Sequence, residues 1–391
     1  MPQVTGDHHV AKWLAIVSTL LLANAPVLHA DDIDQWLKTI SKTGAGAAGS
    51  RAARVAADQL RDQGIVILPR LLDAMDTPNV VAANWYRTVF DDIVQVELKS
   101  KSPQLPLPLF RDVVRDARRQ GRLRRYLLAF LDRFEPDFRQ TWIPGQLDDV
   151  EFREEAVAIA LEAAQQAKQK QQPDDARSAF KKAFQHARRE DQVRAAADGL
   201  KSLGLDVSIV KHMGFVTRWY LLGPFDAPGK TGFKLRLPPE TKVDLQATYT
   251  GQDGNPIQWK PYQTSDRMGQ VNLVQAIAPV KEAVGYAYAE LESPRAQEVQ
   301  LRCGADDNLS VWINEKIALA RLQWLNGTRL DRFTATVSLR QGVNRILVKI
   351  CQGPQHKNPA VSNNWSLQLR FCDKTGAAVG LKPILPTNST P

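Results

Sequence analysis

Cys303-Gly-Ala-Asp-Asp-Asn-Leu-Ser-Val-Trp-Ile-Asn314 is the stretch on which the reading of the fold turns. The run from Glu298 to Cys303 enters it with apolar residues at every second position, the Asp306-Asp307 pair breaks it, and Leu309 to Ile313 leaves it with the same period. Alternation of this kind marks a strand with one buried face, and aspartate favours turns because its carboxylate bonds nearby backbone amides.

The same texture extends in both directions. Trp219-Tyr-Leu-Leu-Gly-Pro-Phe225 opens a β-rich region that reaches Asp373. Period-two patterning predicts strands over 243–250, 271–277, 283–291, 298–303, 309–313, 333–339, 343–350 and 365–371. Many short strands with turns between them predict an antiparallel sandwich, in jelly-roll form, over 206–376.

Before it, from Asp31 to about Leu205, the apolar period is helical. Helices are expected over 32–41, 51–63, 65–75 with a kink at Pro69, and from the Asp76-Thr-Pro-Asn79 turn toward Leu98. After the Pro103–Pro108 break, a helical stretch over 111–125 carries seven arginines, with Val113, Val114, Ala117, Leu123, Tyr126 and Leu127 as its buried stripe. Further helices are expected over 148–172, from Pro173 through Phe184, and over 191–203. Short paired helices that bury their faces only against neighbours predict an α-solenoid-like region. The expected organisation is therefore multidomain α plus β: an export signal at 1–30, HEAT-like helices at 31–147, tetratricopeptide-like helices at 148–205, the sandwich, and a disordered tail at 377–391.

The chain has 391 residues, 43% hydrophobic and 24% charged, which is ordinary for globular protein. Its net charge of +9 favours association with acidic partners, nucleic acid, anionic lipid or acidic glycan among them. Lys12, the apolar run Trp13–Leu22, Pro26 and Ala30 read as an export signal, with an uncleaved anchor as the alternative. That run is short for a membrane span, and no other segment of the sequence is long and apolar enough for one. An exported, periplasmic or cell-surface location follows.

Three cysteines allow one disulfide and one spare thiol. Cys351 shares a strand face with Arg345 and Lys349, and Cys372 shares one with Gln368 and Arg370, so both fall on the polar side of strands expected to be neighbours. That parity allows a Cys351–Cys372 bridge. Cys303 is in phase with Val299 and Leu301 and reads as a buried free thiol.

Several blocks, in order, resemble a family of exported bacterial proteins that join HEAT-like or tetratricopeptide-like helices to a C-terminal sandwich. They include Ala183-Phe-Gln-His-Ala-Arg188, Leu200-Lys-Ser-Leu-Gly204, Gly214-Phe-Val-Thr-Arg-Trp219, Leu222-Gly-Pro-Phe-Asp226, Tyr286-Ala-Tyr-Ala289, Val311-Trp-Ile-Asn314 and Val348-Lys-Ile-Cys-Gln352 with Trp365–Asp373. The resemblance covers about half the chain and implies the architecture more than a function. The Cys351 and Cys372 pair belongs to the same family pattern. The sandwich also resembles galactose-binding-like modules and, at Ala305-Asp306-Asp307, protective-antigen-type lectin domains, in which an Asp-Asp pair at a calcium site ligates sugar hydroxyls. Here Asn314-Glu315 follows the tryptophan strand in place of the usual Asn-Gly.

Candidate chemistry is sparse. Gly223-Pro-Phe-Asp-Ala-Pro-Gly-Lys-Thr231 has five residues between its glycines, two of them proline, and lacks the amides and following helix of a phosphate loop. His186, His212 and His356 are far apart, and there is no His-Glu-x-x-His, Cys-x-x-Cys or Gly-x-Ser-x-Gly. The arginine run has no interleaved aromatics, so nucleic acid is not the expected partner. Asp306 and Asp307 read either as turn formers or as a sugar or calcium site. Trp259, Tyr262 and Trp324 fall in loop-like stretches and are the candidate stacking rings, whereas Trp219, Trp312 and Trp365 alternate with core positions. The reading that results is a non-enzymatic scaffold without a required cofactor, whose helices contact protein and whose sandwich holds a glycan or another cell-envelope component. An accessory module of polysaccharide degradation, a latent glycoside hydrolase, and a purely structural envelope protein are the alternatives.

Overall fold

Asn79 shows how local chemistry sets the helical elements. Its side-chain oxygen accepts from the amides of Val81 and Ala82 at 3.1 and 3.3 Å, capping a 19-residue helix where the Asp-Thr-Pro-Asn turn places its start. The computed structural model describes residues 30–384, except 325, 326, 359 and 361. The expected export signal lies almost wholly outside the described residues.

The chain divides between Arg139 and Gln140 into two units. The first contains α1 (Ala30–Ser41), α2 (Ser50–Arg61), α3 (Leu68–Met75), α4 (Val80–Leu98), α5 (Leu107–Arg115) and α6 (Gly121–Leu131), and the boundary falls inside α7 (Pro136–Trp142). Pro69 sits in the first turn of α3, where no amide is missed, and does not kink it. The single helical stretch expected over 111–125 is two helices, because Asp116 caps off α5 and turns its carboxylate to the amide and guanidinium of Arg118. Phe90, Phe110 and Phe130 meet mostly edge to face, with centroids 5.5–5.9 Å apart, at the centre of this unit. Its arginines are largely committed: Arg111 to Glu135, Arg119 to Asp73, and buried Arg124 to the Val114 carbonyl.

The second unit begins with α8 (Arg153–Gln169), α9 (Pro173–His186), α10 (Glu190–Ser202) and α11 (Ile209–Met213). The same unit contains the sheets. Phe180 of α9 lies where a β-carbon on Gly199 of α10 would be only 2.3 Å from its ring, so glycine is what allows that approach.

The strands are β1 (Arg218–Asp226), β2 (Thr248–Thr250), β3 (Pro256–Gln258), β4 (Lys260–Gln263), β5 (Val271–Asn272), β6 (Ala283–Ser293), β7 (Gln297–Ala305), β8 (Leu309–Ile313), β9 (Lys316–Arg321), β10 (Phe333–Leu339), β11 (Gly342–Gln352), β12 (Ser366–Cys372) and β13 (Lys382–Pro383). All pairings are antiparallel. A larger sheet runs β4-β1-β6-β11-β8-β9, with β13 also on β6, and a smaller one runs β10-β7-β12-β5. Inward residues of both sheets, among them Leu221, Ala287, Leu301, Val311, Val348 and Phe371, form one shared apolar core, so the sheets face each other.

Two expected strands shrink. Of 243–250 only β2 pairs, and 271–277 becomes β5 followed by the short helix α12 (Leu273–Ala276), capped by Asn272. The tail expected from 377 is ordered as far as 384, where β13 and the Ile384 amide bond to β6, and 385–391 lie outside the described residues.

The outer face of the smaller sheet is polar and buried. Fully buried Arg370 donates to Asp331 and to the carbonyls of Met213 and Gly376, and Arg302 joins the same carboxylate. Burial opposes ionisation of Asp331, but hydrogen bonds and charge from Arg370 and Arg302 hold its carboxyl below the usual range.

The expected Cys351–Cys372 bridge is not present; all three cysteines are buried free thiols. The face parity read from sequence holds, but the strands are in different sheets. Cys351 joins the cluster on the outer face of the larger sheet, whereas Leu367, Leu369 and Phe371 put Cys372 on the outer face of the smaller one. A sheet-to-sheet separation of about 10 Å lies between the thiols, beyond disulfide reach. Burial pushes Cys303 and Cys351 up to about 12, so both stay protonated. Alkylation in denaturant without reductant should therefore modify three thiols by intact mass, and a single modified thiol would restore the bridge.

Candidate functional site

The larger sheet is apolar on both faces. Leu221, Ala287, Ala289, Ile346, Val348 and Val311 point into the shared core, and the residues between them point outward. Register places Pro261, Tyr220, Tyr288, Leu347, Trp312 and Ile317 as successive cross-strand partners on β4, β1, β6, β11, β8 and β9. With neighbouring strands about 4.8 Å apart, this row runs about 24 Å across the sheet.

A cover packs on the row because its own apolar residues alternate. Phe233, Leu235, Leu237, Val243, Leu245 and Tyr249 pack against the outward cluster around Tyr286, Tyr288 and Leu347. Three depressions remain open along the row, of about 620, 440 and 470 Å³. Leu245, Tyr288 and Glu290 line both the first and the second. Glu240, Thr241, Trp312 and Glu315 line both the second and the third. They form one interrupted trough.

Three carboxylates line it, Glu240, Glu290 and Glu315, and the first two are engaged. Glu240 accepts from the Tyr286 hydroxyl at 2.6 Å and from Lys349 Nζ at 2.7 Å, and the same ammonium donates to the Leu235 carbonyl. Lys349 is 1% exposed, so this ion pair is desolvated. Glu290 accepts from the Tyr288 hydroxyl at 2.6 Å and from Arg345 at 3.2 Å. Burial first, then the adjacent carboxylate, pushes both phenols far above the ordinary tyrosine range, so both remain donors.

The residues singled out from sequence separate into two places. Asp306, Asp307 and Trp324 come together at the β7–β8 end of the sandwich. Asp306 accepts from the Gly327 amide, and Asp307 accepts from the Gly353 amide at 2.8 Å. Trp324 lies against Gly353, where a β-carbon would be 3.0 Å from both the ring and the Asp307 carboxylate, and Lys230 sits 4.8 Å above the ring. Both aspartates are buried, 4% and 7% exposed, and hold loops through backbone amides. Among the described residues no group of three His, Cys, Asp or Glu side chains could hold a metal.

Trp259 and Tyr262 lie elsewhere, Trp259 in the outer-face cluster beneath the cover and Tyr262 on edge strand β4, where it pairs with the core residue Trp219 and packs against the shared core. Trp259 was expected to be exposed, but it is 7% exposed and packs edge-on against Tyr288 with centroids 6.2 Å apart. Tyr262 is half-buried and lines the first depression. Trp219 and Trp365 are core residues as expected, but Trp312 faces outward into the trough. Tyr220, Tyr288, Glu290, Arg345, Glu240 and Lys349 escaped the sequence reading. The signal that could have found them is the bulky Tyr286 and Tyr288 alternating with Ala287 and Ala289, which marks a strand apolar on both faces.

No family model matches this chain, and no curated protein matches it. Among solved structures it is similar to a β-glucosidase from Kluyveromyces marxianus at 10% identity and TM-score 0.26, over 39% of this chain and 17% of that one. It is similar to a family 35 carbohydrate binding module from an environmental isolate at 12% identity and TM-score 0.18, over 25% and 69%. An anti-sigma factor domain-containing protein from Clostridium clariflavum aligns at 13% identity and TM-score 0.24, over 43% and 48%. Likenesses this shallow decide neither fold nor function.

Asp306 offers a test of the loop-holding role. Burial, with repulsion from Asp307, raises it to about 6 against the bond from Gly327. The folded state thus holds this proton more tightly than the unfolded chain, so the charged carboxylate costs stability above pH 6 and nothing below about pH 4. Asp306→Asn keeps an acceptor for Gly327 and should stabilise this unit by roughly 2 kcal/mol at pH 8, with the gain vanishing at pH 4. Denaturant melts at the two pH values read this directly, and a loss of stability at pH 8 would contradict it.

Proposed function

We propose that this chain is an exported, non-catalytic binding protein that holds an extended glycan in the trough across the outer face of the larger sheet. The two facing sheets are read as a jelly-roll module of that kind, and the helices of the first unit as a repeat surface for a protein partner. The observation that carries the reading is the cross-strand row from Pro261 to Ile317, which sets Tyr220, Tyr288 and Trp312 on one face. Flat rings stack on the C–H faces of pyranoses, and the half-buried Tyr220 and Trp312, three strand spacings or about 14 Å apart across the sheet, suit a linear polymer more than one small ring. A peptide added as a strand would need a free sheet edge, whereas this row crosses the strands on a face. The non-catalytic part rests on Glu240 and Glu290, which are tied to Lys349 and Arg345 and to two tyrosine hydroxyls. A hydrolase of the two-carboxylate kind needs one acid and one base free to exchange protons.

A glycan array followed by affinity electrophoresis on the full chain tests this. Trp312→Ala and Tyr220→Ala should each weaken binding about tenfold, the equivalent of about 1.4 kcal/mol, while Trp324→Ala leaves it unchanged. No reducing ends should be released from any bound polymer. Loss of binding in Trp324→Ala alone would move the site to the Asp306–Asp307 loops.

A further inference from the structure

The cover carries more than its apolar face. Along Phe233-Lys234-Leu235-Arg236-Leu237 the apolar residues are half-buried and pack on the sheet, while Lys234 and Arg236 are exposed. After the turn at Pro238–Glu240 the same alternation resumes with Lys242 exposed and Val243 half-buried. Lys234 and Arg236 line the third depression and Lys242 the second. None of the three has an ion-pair partner among the described residues.

The acids that could balance them are occupied. Glu240 is neutralised by buried Lys349, and Glu290 by Arg345. Of the carboxylates lining the second and third depressions, that leaves Glu315 alone against the three cations. The trough beside Trp312 is therefore electropositive, with low-dielectric walls that concentrate the field.

From this we infer that the bound glycan is acidic, a polyuronate-type polymer whose carboxylates meet Lys234, Arg236 and Lys242 while its rings lie on the Tyr–Trp row. This rests on the glycan reading above and adds the charge of the ligand to it. The buried Glu240–Lys349 pair is what holds the cations over the row. At Lys349 Nζ the ammonium bonds both the carboxylate and the Leu235 carbonyl, which fixes the backbone between Lys234 and Arg236.

The test compares polygalacturonate and alginate, each with its own ester, and neutral xylan and cello-oligosaccharides, on the full chain in low salt. The acid forms should bind at least tenfold more tightly than their esters, and the advantage should shrink as salt shortens the screening length. A triple variant, Lys234→Gln with Arg236→Gln and Lys242→Gln, should lose the acid-over-ester difference. A control triple on exposed positions of the same unit, Lys170→Gln at the end of α8 with Lys181→Gln and Lys182→Gln on α9, should keep it. Equal binding of acid and ester forms would overturn the inference and leave the glycan reading standing. Equal losses in both triple variants, or polyglutamate binding as tightly as polygalacturonate, would also overturn it, because net charge alone would then explain the attraction. If no glycan binds at all, acidic or neutral, the glycan reading itself fails.

Discussion

The buried contact between Lys349 and Glu240 is the constraint on which the outer half of the second unit depends. Lys349 projects from a central strand into an apolar cluster, where an unpaired ammonium would be strongly disfavoured. Glu240 answers it, and Tyr286 completes the set by donating its hydroxyl to the same oxygen. Because Glu240 sits in a turn of the cover, the pairing fixes where residues 233–245 cross the sheet. Were the pair replaced by apolar side chains the cover could still pack, but nothing would set its register along the row.

The two sheets solve the same problem by different means. Each has one face in the shared core and another that must also be shielded. On the smaller sheet the outer face is closed by polar contacts, with Arg370 reaching Asp331 and the Met213 carbonyl and Gln368 reaching the Met268 carbonyl. On the larger sheet it is closed by apolar packing, and incompletely, since three depressions stay open along the row.

Much of this is legible in the residues. Strand 333–339 declares itself because alternation between a buried and a more solvated face leaves a period-two record. The segment 243–250 leaves the same record for another reason: Val243 and Leu245 pack down on a sheet face, and only 248–250 joins a ladder. Parity correctly puts Cys351 and Cys372 on faces away from the core. It cannot say that β12 pairs with β7 and β5 rather than with β11, because strand order is fixed by contacts remote in sequence. Trp312 was misread for a related reason. Where both faces of a sheet are apolar, as Tyr286 and Tyr288 beside Ala287 and Ala289 show, hydrophobic pattern no longer tells inside from outside. Of the candidate site, Asp306, Asp307 and Trp324 do meet, but as a set of loop anchors.

The most direct test of the account is hydroxyl-radical footprinting of tyrosine and tryptophan side chains on the full chain, with and without a saturating acidic oligosaccharide. Tyr220 and Trp312 should lose reactivity together when the ligand is present, while Trp324 keeps its own. Protection of Trp324 with Tyr220 and Trp312 unchanged would contradict the account and place the ligand on the Asp306–Asp307 loops.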